Sequence, residues 1–219
     1  MKTEESVHRM IRVLIADDHA IVRKGLKQIL ADTSDLAVCA EASDGNEVLA
    51  RIRENACDVV VLDISMPGRS GLDILKEIRD SGSGVPVLML SVHPEDQYAV
   101  RVLKAGASGY LNKESAPEEL VKAIRTVARG NRYITPSLAE KLAVYIGEKD
   151  EKPPHERLSD REFQVMCLIA SGKTASQIAE GLSLSIKTIS TYRARVLEKM
   201  GLNNNAELTH YAIRNRLVD

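Results

Sequence analysis

The run IRVLIADDHA, residues 11 to 20, passes from six residues fit for a buried strand straight into two adjacent carboxylates, Asp17 and Asp18. One acid at a strand end could cap a helix, but two neighbouring anions repel and call for a compensating positive charge. A third acid, Asp63, closes the apolar run DVVVLD, Ser91 closes VPVLMLS, and Lys113 closes SGYLNK. Taken singly, each has a plain reading: Asp17 as a cap, Lys113 as a solvated charge, Ser91 as a turn residue. Their joint placement at the ends of four apolar runs is the feature that needs a chemical reason.

The elements that must position them are legible from periodicity. Five strand-sized runs, IRVLIA, LAVCAEA, DVVVLD, VPVLMLS and SGYLNK, are each followed by apolar residues at helical spacing, such as Leu26, Ile29 and Leu30 after the first. Strand and helix alternating five times predict βα units and a parallel sheet, with the middle runs apolar at successive positions because both faces are covered. In a flavodoxin-like strand order 2-1-3-4-5, the first, third, fourth and fifth strands are neighbours, and ligands bind at their carboxyl ends. Asp17, Asp18, Asp63, Ser91 and Lys113 then converge on one cavity. Like charges so close raise one another's pKa unless a cation intervenes, and an all-oxygen site with room for water suits Mg2+. Metal, ammonium and hydroxyl around a carboxylate nucleophile make a pocket suited to a phosphoryl group on Asp63.

The chain has 219 residues, 44% of them hydrophobic and 28% charged, the balance of an ordinary soluble protein with length for two modest domains. No apolar stretch approaches the roughly 20 residues of a membrane span, and the polar opening MKTEESVHRM lacks the core of a secretory signal, so a cytoplasmic location is expected. Cys39, Cys57 and Cys167 are widely spaced in apolar surroundings and read as reduced core residues. Residues 131 to 154 form a linker with one short helical piece, ended by the charged GEKDEK and by Pro153-Pro154. From 155 to 219 the pattern is all helical. Ser159 with Glu162, Thr174 with Gln177, and Ser185 open successive helices, Gly172 and Gly201 close two of them, and a fourth follows Asn203 to Asn205. Four short helices with tight turns predict a helix-turn-helix bundle. From residue 155 on, nine basic residues face seven acidic ones, against a net charge of -1 for the whole chain.

ADD after the first strand, VVVLDISMPGRSGLDIL, VLMLSVH and GASGYLNKESAPEEL resemble the receiver domain of two-component response regulators over residues 10 to 130. The resemblance implies Asp63 as phosphoacceptor, Asp18 as a direct metal ligand, Asp17 as one through water, and the Ser65 backbone carbonyl as a further ligand. It also implies Lys113 as the lysine of the pocket, Ser91 and Tyr110 as a switch pair, and Met66, Pro67 and Gly71 as the loop after the acceptor. A phosphorylated Asp63 would attract the Ser91 hydroxyl and leave space for Tyr110, altering the fourth helix and fifth strand. Departures are Glu114 after the lysine, Ser65 two past the acceptor and Val92 after Ser91. The latter two border the route of attacking water and are expected to tune the lifetime of the phosphate.

Residues 158 to 217 resemble the LuxR-type tail of NarL/FixJ response regulators, with Leu158, Arg161-Glu162, Gly172, Ile178-Ala179, Leu182, Lys187-Thr188-Ile189 and Lys199-Met200 in register. In the third tail helix, Ile189, Tyr192, Val196 and Met200 repeat as a buried stripe. Lys187, Thr188, Ser190, Thr191, Ala194 and Arg195 are left for a face that meets a major groove. Lys173, Thr174, Arg193 and Lys199 are expected to contact the DNA backbone, the helix start at Thr174 through free N–H groups. Tyr192 and Asn205 depart from histidine and arginine frequent in that family, the latter questioning a familiar ion pair.

The combined expectation is a response regulator transcription factor, phosphorylated by a sensor histidine kinase, that pairs as a homodimer on double-stranded DNA half-sites and leaves RNA polymerase open as a further contact. It is not an enzyme beyond self-phosphotransfer and slow autodephosphorylation. Two other classes lack the residues they need. A hydrolase with an aspartate nucleophile calls for a second acid where Ser65 stands, and a nucleotide-binding module calls for a glycine-rich loop where Asp17-Asp18-His19 stands.

Overall fold

The computed structural model describes residues 10–54, 57–66, 68–92, 95–115, 117–147, 153–215, 217 and 218. Five strands, β1 (Ile11–Ala16), β2 (Leu36–Ala42), β3 (Val59–Asp63), β4 (Val87–Ser91) and β5 (Gly109–Asn112), form one parallel sheet in the order β2-β1-β3-β4-β5. They alternate with α1 (Ala20–Ala31), α2 (Gly45–Arg53), α3 (Gly71–Asp80), α4 (Glu95–Lys104) and α5 (Pro117–Ala128). β3 and β4 are buried at every position, as strands covered on both faces must be. Successive side chains alternate between two cores. Val13, Ile15, Val61 and Leu90 pack under Leu30, Leu120 and Ile124, while Leu14, Val60, Leu62 and Met89 pack against α2, α3 and α4.

β2 is an edge strand and only partly covered, with the pattern buried at Leu36 and Ala42 and open between. This corrects the expectation for Cys39, which is exposed; Cys57 is half-buried and Cys167 buried. The apolar neighbours of Cys39 in sequence belong to a strand whose central residues lack a cover.

After α6 (Pro136–Gly147) and a 3-10 turn at Pro154–Arg157, the chain forms α7 (Asp160–Ala170), α8 (Ala175–Gly181), α9 (Ile186–Met200) and α10 (Asn205–Arg214). The side chains of Ser159 and Thr174 close capping boxes with Glu162 and Gln177, Ser185 and Asn204 cap α9 and α10, and Gly201 ends α9 in the left-handed conformation. All but Leu168 of α7 is buried, including Asp160, Arg161, Glu162 and Gln164. One side of α7 meets α9 and α10, and the other meets the sheet domain. Phe163, the chain's one phenylalanine, sits edge-on to Tyr98 of α4 with ring centroids 5.4 Å apart. The core on the α2–α4 side of the sheet therefore runs on without a break into the tail.

His155 accepts or donates at 2.8 Å to the Tyr211 hydroxyl of α10, and burial pushes its pKa down to about 4 from the ordinary 6.5. A depressed folded-state pKa leaves its stabilising share intact above the unfolded value and removes it as pH falls toward the folded one. Urea unfolding at pH 7 and pH 5 is therefore expected to show a loss of about 1 kcal/mol from this group, discounted for its partial exposure. A His155→Gln variant should lack that part of the slope, and an unchanged slope in the variant would refute the assignment.

Candidate functional site

The backbone ladder continues one residue past β1, β3 and β5 and so sets the pocket residues at one level. The Asp17 N–H donates to the Ala42 carbonyl at 3.1 Å, Ile64 to Leu90 at 3.0 Å, and Lys113 to Ser91 at 2.7 Å. The structure thus brings together Asp17, Asp18, Asp63 and Lys113, with Ser91 buried at the end of β4. The Lys113 Nζ lies 2.6 Å from Asp17 Oδ2 and 2.9 Å from Asp63 Oδ2, ion-pair contacts rather than well-aligned hydrogen bonds. Asp17 and Asp63 are essentially inaccessible, whereas Asp18 is partly open.

Burial raises the pKa of Asp63, the Lys113 ammonium pulls it back, and Asp17 adds to the rise. For Lys113 burial works downward, yet Asp63 and Asp17 outweigh it and the net direction is up. One ammonium thus carries two buried carboxylates. Carboxylate oxygens of Asp17, Asp18 and Asp63 and a ring nitrogen of His19 all lie within 4.8 Å of one another. Asp63 Oδ1 is buried without a well-aligned donor among the described residues. A hard cation fits such a donor set, since it would satisfy an oxygen that Lys113 does not.

Sequence reasoning passed over His19. Its Nδ1 is 2.8 Å from Asp18 Oδ1 and 3.3 Å from Asp17 Oδ1, and its N–H donates to Asp17 Oδ1 at 2.8 Å. Its position directly after two acids was the available signal. Ser65 is half-buried beside Asp63, and Val92 is exposed at the rim. Met66 is buried, while Pro67 lies outside the described residues. Tyr110 is fully buried in the apolar cluster that also holds Tyr98 and Phe163.

Gly71 fixes the height of the acceptor. Its N–H donates to the Ile64 carbonyl at 2.8 Å, and a Cβ built on it would lie 2.0 Å from the backbone oxygen of Asp63. The capping box of Ser70 with Asp73 begins α3 at that point. No other residue allows so close an approach of helix start to strand end.

In the tail, Lys187, Ser190, Thr191, Ala194 and Arg195 are exposed along α9, and Ser185, Lys187, Thr188, Thr191, Tyr192 and Arg195 line a shallow groove. Ile189, Val196 and Met200 form the buried stripe, with Tyr192 half-buried. Lys173 and Thr174 are exposed at the start of α8. Two expected backbone contacts already have partners inside the chain. Lys199 donates at 2.6 Å to the buried carboxylate of Glu162 while its side chain stays 42% exposed. Arg193 donates at 2.6 Å to Asn205 Oδ1.

Residues 13–125 match the response regulator receiver domain, and residues 156–212 match the luxR family of bacterial regulatory proteins. The response regulator UvrY of Escherichia coli strain K12 is 43% identical over 211 residues, covering 96% of this chain and 97% of UvrY. GacA of Pseudomonas protegens is 40% identical over 210 residues, covering 96% and 99%. Among solved structures, the response regulator ChrA of a heme-sensing two-component system is 32% identical, with a TM-score of 0.52 over 95% of this chain and 99% of ChrA. RcsB of Salmonella enterica serovar Typhimurium, bound to promoter rprA with the phosphomimetic BeF3-, is 28% identical, with a TM-score of 0.63 over 93% and 98%.

Gly71→Ala is expected to destabilise the chain by about 3 kcal/mol through the backbone clash. In thermal unfolding the midpoint should drop by roughly 6–12 °C. A midpoint within a degree of the parent would show that the strand end and helix start are not locked together.

Proposed function

The chain belongs to the two-component response regulators that carry a luxR-type DNA-binding domain, and on that footing we propose that Asp63 is the phosphoacceptor that controls the tail. The observation that carries this reading is the Lys113 ammonium held between Asp17 and Asp63 at the end of a buried strand. In this reading residues 10–130 are the receiver, 131–154 the linker and 155–219 the DNA-binding domain.

Asp63 attacks the phosphorus of a phosphohistidine on a sensor kinase. A new P–O bond forms on the carboxylate as the P–N bond breaks, and the imidazole leaves with the electron pair and takes a proton. Lys113 stays on the transferring oxygens and Ser91 offers its hydroxyl to the acyl phosphate. Asp18, Asp63 and the Ser65 carbonyl, with Asp17 through water, are the groups that would hold Mg2+, which supplies charge neutralisation on the phosphoryl oxygens. Turnover is confined to self-phosphotransfer and slow loss of the phosphate, because Ser65 offers no second carboxylate to activate water.

The exposed face of α9 is the DNA reader. Lys187 and Arg195 reach base edges or phosphates, while Thr188, Ser190, Thr191 and the small Ala194 permit close approach to a major groove. Lys173, Thr174, Arg193 and Lys199 position the backbone. Two tails on paired half-sites make the active form a homodimer, with RNA polymerase as a further contact. Kinase donor and DNA both place this work in the cytoplasm. Among the described residues no helix is long and apolar enough to cross a membrane.

Two measurements test the proposal. With acetyl phosphate and Mg2+, intact mass should rise by one phosphoryl group, and Asp63→Asn should remain unlabelled; equal labelling of both would place the acceptor elsewhere. Separately, on a duplex selected by the parent chain from random sequence, Lys187→Ala and Arg195→Ala should each weaken binding by about tenfold and lower the salt slope by roughly one. Thermal stability should stay that of the parent, and unaltered binding in both variants would exclude this face of α9.

A further inference from the structure

The exposed face of α9 is rich in hydroxyls, yet those hydroxyls are turned onto the helix itself. Ser190 Oγ donates to the Ile186 carbonyl and Thr191 Oγ1 to the Lys187 carbonyl, both at 3.0 Å and both one turn back. Nearer the helix start, Ser185 Oγ and Thr188 Oγ1 lie 2.8 Å apart and share a hydrogen, and Ser185 Oγ also accepts the Thr188 N–H at 3.0 Å. A hydroxyl that gives its one hydrogen to its own helix has none for a base edge. Ser190 and Thr191 are left with acceptor lone pairs only.

What the face offers outward is methyl. The two heavy substituents on the Thr191 Cβ occupy different staggered positions, so with Oγ1 held against the preceding turn the Cγ2 methyl stands clear of it. Ala194, three residues on, is its neighbour on the helix surface, and both are exposed. Lys187 precedes Thr191 by one turn and Arg195 follows it by one, both exposed, so a cation stands at each end of the methyl pair. Ile189, Val196 and Met200, buried on the other side, fix the roll of the helix that presents this line. In the major groove thymine alone adds a methyl to its hydrogen-bonding pattern, and threonine and alanine methyls are groups that pack against it.

We propose that α9 reads thymine by its 5-methyl group, with Thr191 and Ala194 as the specificity-determining residues and Lys187 and Arg195 on the flanking phosphates. This rests on the exposed face of α9 being the DNA reader. Thr191 acts through its methyl and not through its oxygen, which distinguishes this readout from hydrogen-bonded recognition of an adenine or cytosine amine.

The test uses the full chain and the duplex that the parent selects from random sequence, made once with thymidine and once with deoxyuridine, which lacks only the methyl. Uracil should weaken binding by about fourfold for each methyl buried, roughly tenfold or more over two half-sites. Thr191→Ser, which keeps the hydroxyl and loses the methyl, should bring the thymine-over-uracil ratio most of the way to one. Thr191→Val, which keeps the methyl and loses the hydroxyl, should retain the ratio. Ala194→Gly should lower it too, and provides an independent reading if Thr191→Ser fails to fold. A weakened helix would reduce binding to both duplexes alike and leave the ratio unmoved. Equal affinity of the parent for the two duplexes, or a ratio that vanishes in Thr191→Val, would overturn the methyl readout. So would a ratio that survives in both Thr191→Ser and Ala194→Gly, which would assign the uracil effect to duplex shape. A parent that selects no sequence at all would instead overturn α9 as the DNA reader.

Discussion

One ammonium shared by two buried carboxylates sets the terms for the receiver half of this protein. Lys113 stands within 3 Å of both Asp17 and Asp63, and three loops from β1, β3 and β5 must end at one height for that to happen. A parallel sheet meets the requirement because its strands share a direction and their carboxyl ends align. The fully buried residues of β3 and β4 provide the apolar support that keeps a cluster of like charges together. The arrangement is costly in itself, as the raised pKa of Asp63 records, and such costs persist where surrounding packing over-determines the geometry.

The tail obeys a different constraint. α7 buries a run of charged and polar side chains that a helix exposed on one side would have left in water. Each finds a matching group: Glu162 takes Lys199 within the tail, while Asp160 takes Arg101 and Lys76 from the sheet domain, and Arg161 takes a loop carbonyl. Apolar contacts of Tyr98 with Phe163 lend area, and the charge pairs confer register. An interface of this composition favours one geometry, because displacing either partner leaves a desolvated charge behind. Among the described residues the exposed face of α9, by contrast, shows no such charge partners, and it owes its basic character to Lys187 and Arg195 on a helix face without acids from residue 185 to 197.

Much of this was legible in the linear order of residues, because the rules involved act over a few positions. Short apolar runs marked the strands, capping boxes at Ser159 and Thr174 marked helix starts, and acids and a lysine at strand ends marked the pocket. The relatives' resemblance added the Ser65 carbonyl and the switch pair, which periodicity alone does not supply. Other features depended on residues far apart in the chain. Cys39 is open because β2 falls at the sheet edge, a consequence of strand order rather than of its neighbours. Lys199 meets Glu162 across the bundle, and His19 joins the acidic cluster through the turn into α1. Asp160 and Lys76 are 84 positions apart, and no local pattern in either segment names the other. Local propensity and spacing determined which elements form and which charges crowd at strand ends. Only the tertiary structure decided which opposite charges pair and which faces stay in water, because pairing depends on distance in space, and burial on what another part of the chain brings to cover it.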